Sequence, residues 1–111
     1  VEVSIHFVFS ANIVYRNLHN DGNLANLYSI HLLRYNQFHD ALQWLKHSEK
    51  LSENNDRCLA MTYNNLACYY KRLGHTRSAL IFLEKALELE SNMDDTSFKA
   101  DTHLNICAVL S

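Results

Sequence analysis

The chain has 111 residues, of which 48% are hydrophobic and 20% are charged, and its formal net charge is −2. This composition describes a packed domain rather than a disordered tail, and the small charge gives no reason to expect binding to nucleic acid or to a membrane surface. Proline is absent and glycine occurs twice, so the sequence predicts an all-α protein with short turns between its helices.

The composition also narrows the cellular setting. No apolar run approaches the roughly 20 residues that a transmembrane helix needs. Three cysteines, without other extracellular marks, favour free thiols in a reducing compartment, so we expect a cytoplasmic protein. The chain begins at Val1 and stops at Ser111 inside an apolar-periodic stretch, and we therefore expect a fragment of a longer protein.

The first segment, residues 1–20, fits two patterns. Apolar residues alternate from Val1 to Phe9 as in a strand, whereas those from Ile5 to Ile13 also keep helical spacing. A lone strand would have nothing to pair with, so we favour a helix, the second helix of a preceding and degenerate unit.

A repeat follows in the middle of the chain. The segments 35–45 and 73–83 match at an offset of 38, which places Asn36 on Gly74 and Ala41 on Ala79. Asparagine and glycine best tolerate the left-handed conformation that ends a helix. Each segment is therefore predicted to hold a helix end, a short turn and the start of the next helix.

A second match supports the repeat. Residues 60–67 align with residues 100–107 at an offset of 40, with alanine, threonine and asparagine coinciding. The offsets predict one unit over 22–55, a second over 56–93 and the first helix of a truncated third over 97–111. Within these units we expect helices at about 24–34, 38–51, 57–72 and 77–90, and one from about 97.

Apolar stripes define the expected core of the second unit. The first stripe comprises Ala60, Tyr63, Leu66, Ala67, Tyr70 and Leu73. The second comprises Ala79, Leu80, Phe82, Leu83, Ala86 and Leu87. Thr76 is predicted to cap the helix that carries the second stripe. An acidic run follows, predicted to be a solvated helix end and linker; it comprises Glu88, Glu90, Asp94 and Asp95.

The second unit resembles the tetratricopeptide repeat family. The positions that match the family pattern are Tyr63, Leu66, Ala67, Tyr70, Gly74, Ala79, Leu83 and Ala86. The stretch 64–67, with Tyr70 and Gly74, is most similar to kinesin-light-chain-type repeats, whose period also exceeds 34. The proline that usually ends the second helix is missing, and Ser91 stands there. The resemblance implies a right-handed superhelix of antiparallel helix pairs, an α-solenoid with a concave groove.

Candidate catalytic and metal-binding residues are few. His103 and Cys107 lie four apart, a spacing used by metal ligands, but they supply only two ligands and we place them as packing residues. Cys68 has no base that a motif places beside it, so we expect a small groove-lining residue rather than a nucleophile. The sequence therefore predicts neither an enzyme nor a bound cofactor or metal.

The helix face opposite the core stripe carries the candidate binding residues. They are Asn26, Arg34, Asn64, Asn65, Lys71, Arg72 and Asn105. The resemblance implies that this face lines the groove, where asparagines can hydrogen-bond a peptide backbone and the cations can hold an acidic peptide. The alternative is that these side chains are simply exposed to solvent and have no role in binding.

Two functions are expected from these features. The first is a scaffold or adaptor that binds an extended, acidic peptide of a protein partner. The alternative is a structural repeat that contacts neighbouring subunits of a large cytoskeletal, ciliary or trafficking assembly. A third class, an enzyme regulated by these repeats, requires a catalytic part outside this sequence.

Overall fold

The computed structural model describes residues 16–17, 19–94 and 96–111, with the backbone alone at 96–98. The described residues form five helices, and successive helices pack antiparallel. Their bounds are α1 Gly22–Arg34, α2 Phe38–Leu51, α3 Asp56–Arg72, α4 Thr76–Glu90 and α5 Thr96–Leu110. The prediction of an all-α chain with two helix pairs and a single last helix is confirmed for these residues. The helix predicted over 1–20 lies outside them, except for residues 16–17 and 19–20, which are helical.

Short polar side chains begin two of the helices. An Asp21 carboxylate oxygen accepts hydrogen bonds from the backbone N–H groups of Asn23 and Leu24, and Asn55 caps α3 in the same way. Such caps satisfy backbone donors that have no partner inside the helix. The cap predicted for α4 is wrong: Thr76 is already helical, and His75 precedes it without a side-chain cap.

The ends of α1 and α3 share one geometry. Asn36 has φ 61° and Gly74 has φ 80°, so both adopt the predicted left-handed conformation. The residue after each donates its backbone N–H to a carbonyl five residues earlier, at 2.8 Å in both cases. This hydrogen-bond pattern ends a helix while satisfying its last carbonyls. The offset of 38 between the two turns is therefore a structural repeat.

The helices pack through small residues with aromatic rings beside them. Ala41 and Ala79 have no exposed surface, which lets the paired helix axes approach closely. The rings of Tyr70 and Phe82 stack with centroids 5.5 Å apart, so the predicted contact between α3 and α4 is confirmed. Contacts also join α1 to α3 and α3 to α5.

These additional contacts explain some of the errors in the predicted burial. Because α3 touches helices on both sides, Thr62 and Tyr69 are buried although they lie outside the predicted stripe. Leu73, at the end of the stripe, is 38% exposed. His103 and Cys107 are exposed on α5 rather than packed. Glu90, predicted to be solvated, has no exposed surface.

Candidate functional site

One surface of the protein is formed by α1, α3 and α5, and it contains two clefts. The cationic cleft, about 360 Å³ between α1 and α3, is lined by Ile30, Leu33, Arg34, Cys68, Lys71 and Arg72. The asparagine cleft, about 290 Å³ between α3 and α5, is lined by Met61, Asn64, Asn65, Asp101, Leu104 and Asn105. All the predicted binding residues except Asn26 line one of these clefts. Each cleft thus brings together residues about 40 positions apart in sequence, such as Arg34 with Arg72 and Asn65 with Asn105.

The three cations of the cationic cleft do different things. Arg72 donates from Nη1 to the Leu33 carbonyl at 3.0 Å and from Nη2 to Asn36 Oδ1, and its guanidinium lies 5.3 Å from the centre of the Phe38 ring. A planar guanidinium suits such combined hydrogen bonding and stacking. Arg72 therefore connects the end of α3 to the end of α1. Only two of the three expected cations are then available to a ligand.

Arg34 and Lys71 remain available in the cationic cleft. Both side chains are exposed, and neither forms an ion pair or hydrogen bond with another described residue. They stand at the C-terminal ends of α1 and α3, where a positive charge is also favoured by the helix dipole. Ile30 supplies apolar surface in the same cleft. A ligand in this cleft would meet two positive charges beside an apolar surface.

Cys68 is half-buried in the same cleft. Burial raises the pKa of its thiol, and the nearby Lys71 lowers that pKa by less. Because the thiolate is the nucleophilic form, a raised pKa disfavours reactivity at neutral pH. The geometry agrees with a cleft-lining residue.

A chain of asparagine and threonine side chains joins α1, α3 and α5, and we call it the asparagine ladder. Asn26 Nδ2 donates to Thr62 Oγ1 at 2.9 Å, and Asn26 Oδ1 accepts from Asn65 Nδ2 at 2.9 Å. The next step repeats these contacts. Asn64 Nδ2 donates to Thr102 Oγ1 at 2.9 Å, and Asn64 Oδ1 accepts from Asn105 Nδ2 at 2.9 Å.

The ladder corrects the expected groove floor. Asn26 is 1% exposed and Asn64 is 9% exposed, so both lie between helices instead of on an open floor. Buried amides need hydrogen-bond partners, and here the neighbouring helices supply them. Asn65 and Asn105 are half-buried, and their Oδ1 atoms accept no hydrogen bond from another described residue. These two offer acceptors to a ligand.

Thr62 and Thr102 are ladder residues that the sequence analysis missed. A usable signal was present, because threonine precedes asparagine by three residues at 62/65 and again at 102/105. Residues three apart lie on one face of a helix. Each pair can therefore hydrogen-bond one asparagine of the helix two before it, Asn26 of α1 or Asn64 of α3.

Two absences hold for the described residues. No group of three or more histidine, cysteine, aspartate and glutamate side chains could hold a metal ion. None of the helices there is both long and apolar enough to cross a bilayer.

Comparisons of the whole chain with protein-family models, with curated proteins and with solved structures find no match. The resemblance to tetratricopeptide repeats therefore stays a prediction from the residues quoted above.

Proposed function

We propose that this chain is a protein-binding scaffold of the tetratricopeptide type. In this proposal α1 with α2 and α3 with α4 are successive units of a right-handed α-solenoid, and α5 begins a third. Support comes from the offsets of 38 and 40, from the matching ends of α1 and α3, and from the ladder that joins the first helices of successive units. A single hairpin of this kind needs stacked neighbours to bury both faces.

The proposed ligand is an extended, acidic segment of a partner protein. The observation that carries this proposal is the cationic cleft, where Arg34 and Lys71 are exposed and have no acidic partner among the described residues. Acidic side chains would complement these charges, and the apolar Ile30 favours an aliphatic or aromatic residue beside them. Such exposed pairs mainly raise the association rate and the specificity.

The peptide backbone would use the asparagine cleft. Because the ladder occupies the Nδ2 groups of Asn65 and Asn105, each has its Oδ1 atom left for a ligand. Both side chains would then accept hydrogen bonds from peptide N–H groups, which matches an extended strand-like segment. Asp101, exposed on the same cleft, would disfavour an acidic residue at this end of the ligand.

A peptide-display library tests this proposal directly. Random peptides are selected on the chain, and affinities are measured for the parent and for the charge reversals Arg34→Glu and Lys71→Glu. We expect acidic peptides to be enriched, each reversal to weaken binding at least about tenfold at low salt, and the affinity of the parent to fall as salt rises.

The matched controls are Lys46→Glu on α2 and Arg77→Glu on α4, both exposed cations outside the two clefts. If the control reversals weaken binding as much as Arg34→Glu and Lys71→Glu, the cleft is not the site. Arg72 is not used for this test, because its reversal would also break the contacts to α1.

The second candidate is a structural repeat element of a large cytoskeletal, ciliary or trafficking assembly. It is favoured by two exposed leucines, Leu27 on α1 at 65% and Leu104 on α5 at 67%. Exposed leucines of this kind can be covered by neighbouring subunits. Failure to select any peptide, together with loss of assembly in Leu27→Asp and Leu104→Asp variants, would favour this function.

A further inference from the structure

The meeting place of α3, α4 and α5, which we call the second joint, contains a buried carboxyl group. Glu90, the last residue of α4, has no exposed surface. Its Oε1 atom accepts hydrogen bonds from Thr102 Oγ1 at 2.6 Å and from Asn64 Nδ2 at 3.5 Å. Its Oε2 atom is buried and has no hydrogen-bond partner.

This environment suits a neutral acid better than a carboxylate. An ionised carboxylate has two acceptor oxygens, and burial without donors to one of them is costly. A protonated carboxyl group still accepts the two hydrogen bonds at Oε1 while carrying no charge.

The neighbours of Glu90 affect its ionisation in opposite directions. Burial raises the pKa of Glu90, while the hydrogen bonds from Thr102 and Asn64 and the charge of His103 lower it. The carboxylate of Asp101 raises the pKa further. The charged neighbours therefore both belong to α5, and α3 contributes a neutral amide. Burial has the largest effect, so the net pKa lies above its ordinary value.

We propose that Glu90 is a proton-dependent latch that holds α5 onto α3 and α4 as the neutral acid and loosens α5 when it ionises. Ionisation is favoured in any conformation that admits water to the carboxyl group, and α5 is the helix whose Thr102 hydroxyl holds this group at Oε1. Because α5 carries Asp101, Leu104 and Asn105, the latch also controls the shape of the asparagine cleft.

The direction of the pH effect follows from proton binding. The closed state holds the Glu90 proton at pH values where the open state has released it. The latch is thus fully closed below the ordinary pKa, near 4.5, and weakens as pH rises towards the raised pKa. Because opening releases one proton, its equilibrium constant rises by up to about tenfold per pH unit within that window.

Nuclear magnetic resonance tests the latch on the free chain, so its outcome is independent of the proposed ligand. The side-chain carboxyl carbon of Glu90 is titrated, and amide hydrogen exchange is measured along α5 and corrected for intrinsic rates. We expect a Glu90 midpoint above the ordinary value. We also expect α5 protection to fall by up to about tenfold per pH unit, while α1 to α3 keep theirs.

Three variants sharpen the test. Glu90→Gln carries a permanently neutral isostere and should remove the pH dependence of α5 protection, whereas the exposed Glu88→Gln on the same helix should retain it. Asp101→Asn should lower the Glu90 midpoint, which a purely structural role would not predict. If Glu90→Gln does not fold, the parent titration and the Asp101→Asn shift still decide.

Two results would overturn the proposal. One is a Glu90 carboxyl group that titrates at or below its ordinary pKa. The other is the same pH course of α5 protection in the folded Glu90→Gln variant and in the parent.

Discussion

The second joint contains a buried carboxyl group, whereas the first joint, where α1 and α2 meet α3, contains buried hydroxyl groups and the Cys58 thiol in its hydrogen-bond network. Both joints use the asparagine ladder: Asn26 binds Thr62 in the first, and Asn64 binds Thr102 in the second, each at 2.9 Å. The two joints thus share their main side-chain hydrogen bonds.

The joints diverge in the side chain of α2 or α4 that contacts each threonine. In the first joint the α2 hydroxyl of Ser48 lies 3.1 Å from Thr62 Oγ1. In the second joint the α4 carboxyl of Glu90 accepts from Thr102 Oγ1 at 2.6 Å. The position of Glu90 in the first unit, 38 residues earlier, is held by Ser52, which is also buried.

This difference shows how a repeated hydrogen-bond pattern can be neutral in one joint and ionisable in the next. Hydroxyl groups rotate to suit their neighbours and carry no charge, so the contact of Ser48 with Thr62 adds no ionisable group to the first joint. A buried carboxyl group couples its joint to proton concentration. The four predictions below separate what the joints share from what distinguishes them.

The largest expected effect comes from removing a ladder asparagine. Asn64→Ala deprives Thr102, Asn105 and Glu90 of a partner, and we expect a loss of about 3 kcal/mol in the free energy of unfolding. Asn26→Ala breaks the matching bonds of the first joint but affects no carboxyl group, so its cost should be smaller. Urea unfolding measures both. Equal costs would mean that Glu90 adds nothing to the second joint.

The apolar sides of the two joints should respond alike to added bulk. Ala79→Leu inserts three carbons where no surface is exposed, and we expect a cost on the order of 1–3 kcal/mol, with Ala86→Leu similar. Ala41→Leu, at the equivalent place in the first unit, should cost about the same. The control is the exposed Ala108→Leu, which should change thermal stability little. Parent-like melting of Ala79→Leu would mean that the tight crossing is wrongly assigned.

The fold was largely predictable because its signals are local. Asn36 and Gly74 share a conformation that few other residues tolerate, so their offset alone located two helix ends. Alanines at helical spacing located the paired faces. The cap at Thr76 was wrong because threonine is common at helix starts generally, and the sequence does not reveal which residue adopts the extended backbone of a cap.

The candidate site was predicted only in part, because the burial of its residues depends on contacts between helices that are distant in sequence. The offset of 38 places Arg34 on Arg72 with Lys71 beside it, and all three residues line the cationic cleft. The burial of Asn64 depends on which helices lie against α3, and spacing within α3 contains no such information. Glu90 was predicted to be solvent-exposed for the same reason. A charged residue at a helix end is usually exposed, and the hydrogen bond from Thr102 to Glu90 forms only on folding.

A smaller effect is expected from pH, and it separates the joints by their chemistry. Because the folded-state pKa of Glu90 is raised, its contribution to stability is present below the ordinary pKa and is lost as pH rises. The difference in Tm between Glu90→Gln and the parent should therefore grow from pH 5 to pH 7.5. Subtracting the two curves removes the titration of the histidines, which both proteins share. A constant difference would mean that Glu90 does not titrate differently on folding.

The smallest effect compares the two helix ends. A Cβ atom added at Gly74 meets nothing within 4 Å, so Gly74→Ala introduces backbone strain without a steric clash. At φ 80° we expect this strain to cost roughly 1 kcal/mol. Gly74→Asn installs the residue that α1 uses, at Asn36, and should cost less because asparagine tolerates the left-handed region. Urea unfolding of the two variants gives the order. If alanine were tolerated as well as asparagine, the left-handed end of α3 would not be required, and the match between Asn36 and Gly74 would lose its physical basis.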